Sequence, residues 1–246
     1  MAQLYDTIGA RYAKYRRPDP RIAAAIAAAL GGSRRVVNIG AGAGSYEPTD
    51  RDLIAVEPSE TMIRQRLAGA APVIRASAMS LPFRDREFDA ALAILTVHHW
   101  PDQRTGLKEL ARIAKRCIIL TWEPSAQLSW LTRDYFPEIL AYDRTVFPPA
   151  AAFYGAALRN VVVRSIPIPH DCTDGFLEAY WKRPEAYFDP AARLAISSFA
   201  RLHNVDERLI ALRRDLDDGT WSRRNEELLN KTELDLGYRL VIGERA

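Results

Sequence analysis

The sequence predicts an α/β fold: a seven-stranded, mostly parallel sheet with a helical lid inserted late in the chain. Three observations lead there. Short runs rich in Val, Ile and Leu recur along the first half, each bounded by glycine, proline or charge. Helical segments fall between several of them, and near-continuous apolar strands alternating with helices imply a parallel sheet covered on both faces. The second half changes character, with helical pattern and many aromatic residues between its two remaining strand-like runs.

The strands are read in order as "RRVVNIG", "DLIAVEP", "APVIRA", "FDAALAILTV", "RCIILTW", "NVVVRSIPIP" and "GYRLVIGE". "IAAAIAAAL" is a helix with Asp19 as N-cap, Pro20 in its first turn and Gly31 at its C-terminal cap. "SETMIRQRLAG" follows the second strand with Ser59 as N-cap, and "QRTGLKELARIAK" follows the fourth. The late helical patterns include "DGFLEAYW", "DPAARLAISSFARLH", "VDERLIALRRDL" and "TWSRRNEELLN". Together with the stretch from Glu123 to Phe153 they read as a lid over the C-terminal edge of the sheet, where open α/β folds bind ligands.

A chain of 246 residues with 48% apolar and 26% charged residues fits a globular protein with a sizeable core. A net charge of +3 is too weak for a dedicated nucleic-acid binder. The two cysteines, Cys117 and Cys172, lie far apart, and none of the histidines stands at zinc spacing from them, so a reduced, cytoplasmic protein without a metal is expected. The early apolar stretch is too short to span a membrane, and the start lacks the apolar core of a signal peptide.

The chemistry begins at "NIGAGAGSYEP". Gly40, Gly42 and Gly44 let the chain turn tightly and let a ligand approach the backbone. A dinucleotide fingerprint needs a glycine at 45, where this chain has Ser45, so an NAD enzyme ranks last. Glu57 ends the second strand, where a carboxylate can accept both hydroxyls of a ribose. Loop and acid together point to an adenosine-type ligand.

"RASAMSLPFRDREFDAALAILTVHHWPD" resembles a signature of class I S-adenosylmethionine-dependent methyltransferases, in the broad group that includes the ubiquinone/menaquinone C-methyltransferases. Leu81, Pro82, Phe83, Phe88, Asp89, His98, His99 and Asp102 carry the match. "VEPSETMI" and "YDTIGARYAKYRRPDP" are similar to other segments of the same group. The resemblance implies a Rossmann-like core whose last strand runs antiparallel. It assigns residues 1–122, 158–169 and 236–246 to that core, and 123–157 and 170–235 to a substrate-binding lid. It implies S-adenosylmethionine as cofactor and S-adenosylhomocysteine as product.

On this reading the cofactor is held by Tyr5, Arg17 (or its neighbour Arg16), Asn38, Gly40, Ala41, Gly42, Gly44, Glu57, Pro58, Met62, Ser77, Ala78, Met79 and Leu95. Asn38 and Ser77 stand where the family usually has acids, and a neutral side chain attracts an ammonium or an adenine amino group less strongly. Only "SYEP" fits between loop and second strand, so the usual long helix there is absent, as is a Pro-Gly-Gly turn before the fifth strand.

Methyl transfer from a sulfonium has an excellent leaving group, so catalysis is largely placement, with a base needed only where the acceptor keeps its proton. His170, His98 and Tyr12 are the candidate catalytic residues, and His99, Trp122, Tyr180 and Trp181 the candidate acceptor contacts. His98 and His99 are adjacent at the expected strand end and would point to opposite faces. Tyr5 and Tyr12 share one face of an expected helix. The expected partner is a small-molecule methyl acceptor, aromatic or apolar. RNA methylation and a non-catalytic S-adenosylmethionine-binding module are the alternatives.

Overall fold

The computed structural model describes residues 12–124 and 129–245, with the side chains of residues 12 and 13 left aside. Helix α1 (Tyr12–Tyr15) leads into α2 (Pro20–Leu30), where the Asp19 side chain accepts from the Arg21 N–H and Gly31 closes the end at φ 55°. Then come β1 (Arg35–Ile39), β2 (Asp52–Val56), α3 (Glu60–Arg64), β3 (Val73–Ile74), β4 (Phe88–Ile94), α4 (Gln103–Ile113) and β5 (Ala114–Trp122). Further on are α5 (Pro137–Val146), α6 (Ala150–Gly155), β6 (Leu158–Ser165), β7 (Ile168–Pro169), α7 (Pro190–Leu194), α8 (Val205–Asp217), α9 (Thr220–Arg224), α10 (Glu226–Leu229), β8 (Glu233–Leu234) and β9 (Tyr238–Arg245).

Seven strands form one sheet in the order β3-β2-β1-β4-β5-β9-β6. The pairs among β1 to β5 are parallel, and β9 runs antiparallel to both β5 and β6. Strand order reverses between β1 and β4, so a crevice opens beyond their C-terminal ends. Successive residues of β1 serve opposite faces: Val36 packs with α2 and the helical cover, Val37 with α4 and α6. That is why these strands read as unbroken apolar runs.

Several sequence expectations are corrected. The sixth strand leaves the sheet at Ser165, before Pro167, which has no N–H to pair; Ile168 and Pro169 pair with Leu234 and Glu233 in a separate two-stranded sheet. The third strand keeps only Val73 and Ile74. "DGFLEAYW" is a chain of turns, with Glu178 in the left-handed region at φ 65°. His98 and His99 lie in a short 3₁₀ turn, Val97–His99, and not on the strand. Twelve residues join β1 to β2 without a helix, as the short "SYEP" segment implies.

The helical cover has its own core. Trp130 donates from Nε1 to the Trp181 carbonyl at 2.7 Å and meets Tyr187 and Trp221 edge-on. Trp181 donates from its own Nε1 to the Ile168 carbonyl at 3.0 Å. Behind this core Glu178 is buried, taking the Thr132 hydroxyl on Oε1 at 2.9 Å while Oε2 has no partner. Burial pushes its carboxyl up to about 8 from an ordinary 4.5.

Because the folded chain keeps this proton and the unfolded chain releases it, Glu178 costs stability progressively as pH rises from about 4.5 to about 8. Glu178→Gln stays neutral. Its melting temperature is expected to gain on that of the wild type by about 10 °C between pH 5 and pH 8. A difference that does not change with pH would contradict the assignment.

Candidate active site

The loop after β1 is held by the acid after β2. Gly42 donates its backbone N–H to Glu57 Oε2 at 2.8 Å, and Ser59 donates to Oε1 at 2.9 Å. Glu57 is 6% exposed; burial raises its proton affinity, and the two backbone donors pull it back. A carboxylate has about four lone-pair sites, so both oxygens can still accept ligand hydroxyls. Gly40 has φ 66°, and a Cβ there would lie 2.0 Å from Thr96 Oγ1, so only glycine lets the loop cross the end of β4.

Four of the loop amides are spent internally. Gly40 and Ala41 both donate to the Val56 carbonyl, Gly44 donates to that of Ala41, and Gly42 is on Glu57. A phosphate nest needs such N–H groups pointing outward. With Glu57 alongside, this loop suits a ligand without phosphate there.

Asn38, buried on β1, donates from Nδ2 to Glu47 Oε1 at 3.2 Å, leaving its Oδ1 without a partner in the wall of the cavity. Glu47 in turn pairs with Arg66 at 2.7 Å, both side chains under a tenth exposed. Beside it, Tyr46 donates its hydroxyl to Asp174 Oδ2 at 3.0 Å, and Arg16 reaches Oδ1 of the same carboxylate at 2.6 Å. Asp174 is fully buried and ties the N-terminal segment, the glycine loop and the helical cover together.

One cavity of about 340 Å³ runs from the glycine loop to the helical cover. Its first half is walled by Asn38, Gly40, Ala41, Gly42, Glu57, Pro58, Met62, Ser77, Ala78, Met79 and Leu95. The other half is aromatic, with Trp122, Phe147, Phe176 and Tyr238 beside Ile196, Ser197 and Ser198. His98 stacks on Phe147 at 4.2 Å and lies 3.8 Å from His99. What exposure the two imidazoles keep is toward the cavity. Burial, with positive charge from Arg201 and Arg16, holds both neutral, His99 down to about 3.

Several expected residues lie elsewhere. His170 is half-buried after β7, its Nδ1 3.5 Å from Asp171, and does not line the cavity. Trp181 and Tyr180 are packed within the helical cover, away from the cavity wall. Arg17 is exposed, and its neighbour Arg16 faces the cavity in its place. Gly44 sits behind the wall, where a Cβ would meet Arg66 and Glu47. Tyr5 and the Tyr12 side chain lie outside the described residues. Tyr46, Glu47, Asp143, Phe147 and Asp174 were not singled out from the sequence. The "SYEP" insertion was the one signal, since a helix-free link leaves Tyr46 and Glu47 to build the wall.

Residues 37–117 match the family model of the methyltransferase domain. A solved structure of a proposed methyltransferase from an antibiotic biosynthesis pathway of Anabaena variabilis is 32% identical, superposes with a TM-score of 0.84, and is matched over 94% of this chain and 99% of that one. The chain belongs to the class I S-adenosylmethionine-dependent methyltransferases. The fold also matches geranyl diphosphate C-methyltransferase of Streptomyces coelicolor, solved with S-adenosyl-L-homocysteine, at 15% identity and TM-score 0.50 over 92% of this chain and 79% of that one. The tRNA (carboxymethyluridine(34)-5-O)-methyltransferase alkbh8 of Xenopus tropicalis is 30% identical over 132 residues, 49% of this chain and 20% of that protein. The chain spans under half the length of the curated relatives it matches.

S-adenosylmethionine is the cofactor, and the first half of the cavity fits it. Glu57 offers a carboxylate to ribose hydroxyls, the orphaned Asn38 Oδ1 offers an acceptor to an ammonium, and Pro58, Met62 and Leu95 offer apolar surface to a base. Among the described residues no group of His, Cys, Asp or Glu could hold a metal, and no helix is long and apolar enough to cross a membrane.

Removing Glu57 loses charge-assisted hydrogen bonds worth about 1.5–3 kcal/mol. Glu57→Ala is therefore expected to weaken S-adenosylhomocysteine binding by about 10- to 100-fold in calorimetry. Affinity within a factor of about two of the wild type would remove Glu57 from the cofactor site.

Proposed function

We propose that this chain methylates a small apolar or aromatic molecule, with the helical segments after β5 acting as a substrate-binding lid. The observation that carries the reading is the single cavity, with a polar wall suited to the cofactor and an aromatic wall suited to an acceptor. Cavities of this size lined mainly by apolar side chains suit small ligands. The Anabaena variabilis structure, assigned to antibiotic biosynthesis, supports a small-molecule acceptor.

The cofactor supplies an electrophilic methyl group on a sulfonium. The chain places the acceptor. Phe147 and Trp122 meet edge-on at 5.5 Å and form the corner against which a flat molecule rests. Asp174 holds Arg16 and Tyr46 at the cavity wall, so the lid bounds the same space that the glycine loop shapes. His170, half-buried and not among the cavity-lining residues, is given no role in this reading.

The test uses purified protein and S-adenosylmethionine labelled on the methyl group, incubated separately with the small-molecule filtrate of a cell extract and with total RNA. Label is expected in an extractable product of the filtrate. Label confined to RNA would overturn the acceptor class. Failure of S-adenosylhomocysteine to bind would overturn the reading altogether.

A further inference from the structure

Two carboxylates line the cavity among the described residues, Glu57 and Asp143. Glu57 is held by the glycine loop in the cofactor half. Asp143 comes from α5 in the helical cover and is 2% exposed. Its chemistry has no assignment so far.

The surroundings of Asp143 are under-supplied with donors. Ser198 donates its hydroxyl to Oδ2 at a long 3.4 Å. No ion pair within 4.0 Å reaches it among the described residues, although Arg201, resting 4.4 Å over the Tyr142 ring, attracts it from further off. A buried carboxylate so placed is costly unless something donates to it. Phe147 caps the C-terminal end of α5, its N–H on the Asp143 carbonyl at 2.8 Å, and lines the same cavity as an aromatic shelf.

Other groups are less suited to take a proton. The two histidines are neutral and hold protons poorly, His99 only below about 3. Asp174 is engaged by Arg16 and Tyr46 and does not line the cavity. Glu178 lies behind the wall. Burial raises the Asp143 carboxyl to about 6, which makes it a stronger base than either imidazole while leaving it ionised at neutral pH.

We propose that Asp143 is the proton acceptor of the methyl-transfer step and that the acceptor is a flat, apolar, hydroxyl-bearing molecule of the phenol class. This rests on the small-molecule reading above. As the acceptor oxygen forms its bond to the methyl carbon, the S–CH₃ bond breaks and its electron pair stays on sulfur. The O–H proton passes to the Asp143 carboxylate. Charge balances: a sulfonium, a neutral alcohol and a carboxylate become a thioether, a methyl ether and a carboxylic acid. An anionic head group is disfavoured by Asp143 itself. A protonated amine is disfavoured by the sulfonium and by the positive field of Arg16 and Arg201, which keeps the histidines neutral.

The experiment saturates the full chain with S-adenosylhomocysteine and titrates β-naphthol, its methyl ether and β-naphthoate by calorimetry. Naphthol is expected to bind at least about 10-fold tighter than either, the worth of one charge-assisted hydrogen bond. In Asp143→Leu the preference over the ether should fall to within about twofold. Asp143→Asn, which keeps the shape, is measured in parallel and should lose most of the preference. Preferences unchanged in both variants, naphthoate binding tightest, or no probe binding to the loaded protein would each overturn the proposal. Failure of S-adenosylhomocysteine itself to bind is a different result and strikes the underlying function.

Discussion

The carboxylate of Glu57 is the constraint on which the site depends. It ends β2, next to the switch point of the sheet, and spends both oxygens on backbone N–H groups of the glycine loop and of Ser59. A buried acid without those donors would sit in the cavity wall as an uncompensated charge. With them it fixes the loop at one distance from β2 and turns the Gly42 amide inward. The glycines follow from this: Gly40 must pass the Thr96 side chain with no Cβ, and Gly42 must present its N–H to the acid. The third glycine of a dinucleotide loop has no task here, because there is no pyrophosphate for a helix N-terminus to receive.

A second buried acid extends the arrangement outward. Asp174 receives Tyr46 from the glycine loop and Arg16 from the N-terminal segment, while Gly175 beside it donates to the Tyr15 carbonyl at 2.7 Å. Segments far apart in sequence therefore close on one another through a few hydrogen bonds of the strong, charge-assisted kind. Tyr15 adds a hydroxyl donation to Asp189 at the start of α7. The loop that shapes the cofactor half and the cover that shapes the acceptor half are thus joined at one carboxylate.

What was legible in the sequence follows from locality. β1 and β2 could be read because buried parallel strands are continuous apolar runs, and the caps of α2 and α3 because Asp19 and Ser59 act within three residues. Glu57 was legible because strand-end position alone places it. Asp143 and Phe147 were not, because α5 lies in a segment whose fold is set by packing of Trp130, Tyr187 and Trp221, with no motif of its own. His170 misled for the same reason: Pro167 breaks the strand that would have carried it to the sheet edge, and the second small sheet turns it to solvent. Trp181 was drawn to the pocket by composition, yet its indole N–H is claimed by Ile168. The histidine pair shows the limit most plainly, since a 3₁₀ turn in place of the expected strand brings both rings to the same cavity.

The central claim is that Glu57 and the glycine loop form a phosphate-free nucleoside site that opens directly onto the aromatic half of the same cavity. The measurement that tests it most directly is a crystal structure of the complex with S-adenosylhomocysteine. The account predicts both ribose hydroxyls on the Glu57 carboxylate, the amino-acid nitrogen within hydrogen-bond reach of Asn38 Oδ1, and the thioether sulfur facing Asp143 and Phe147. A nucleoside bound with Glu57 turned away from it, or a sulfur facing away from the aromatic half, would contradict it.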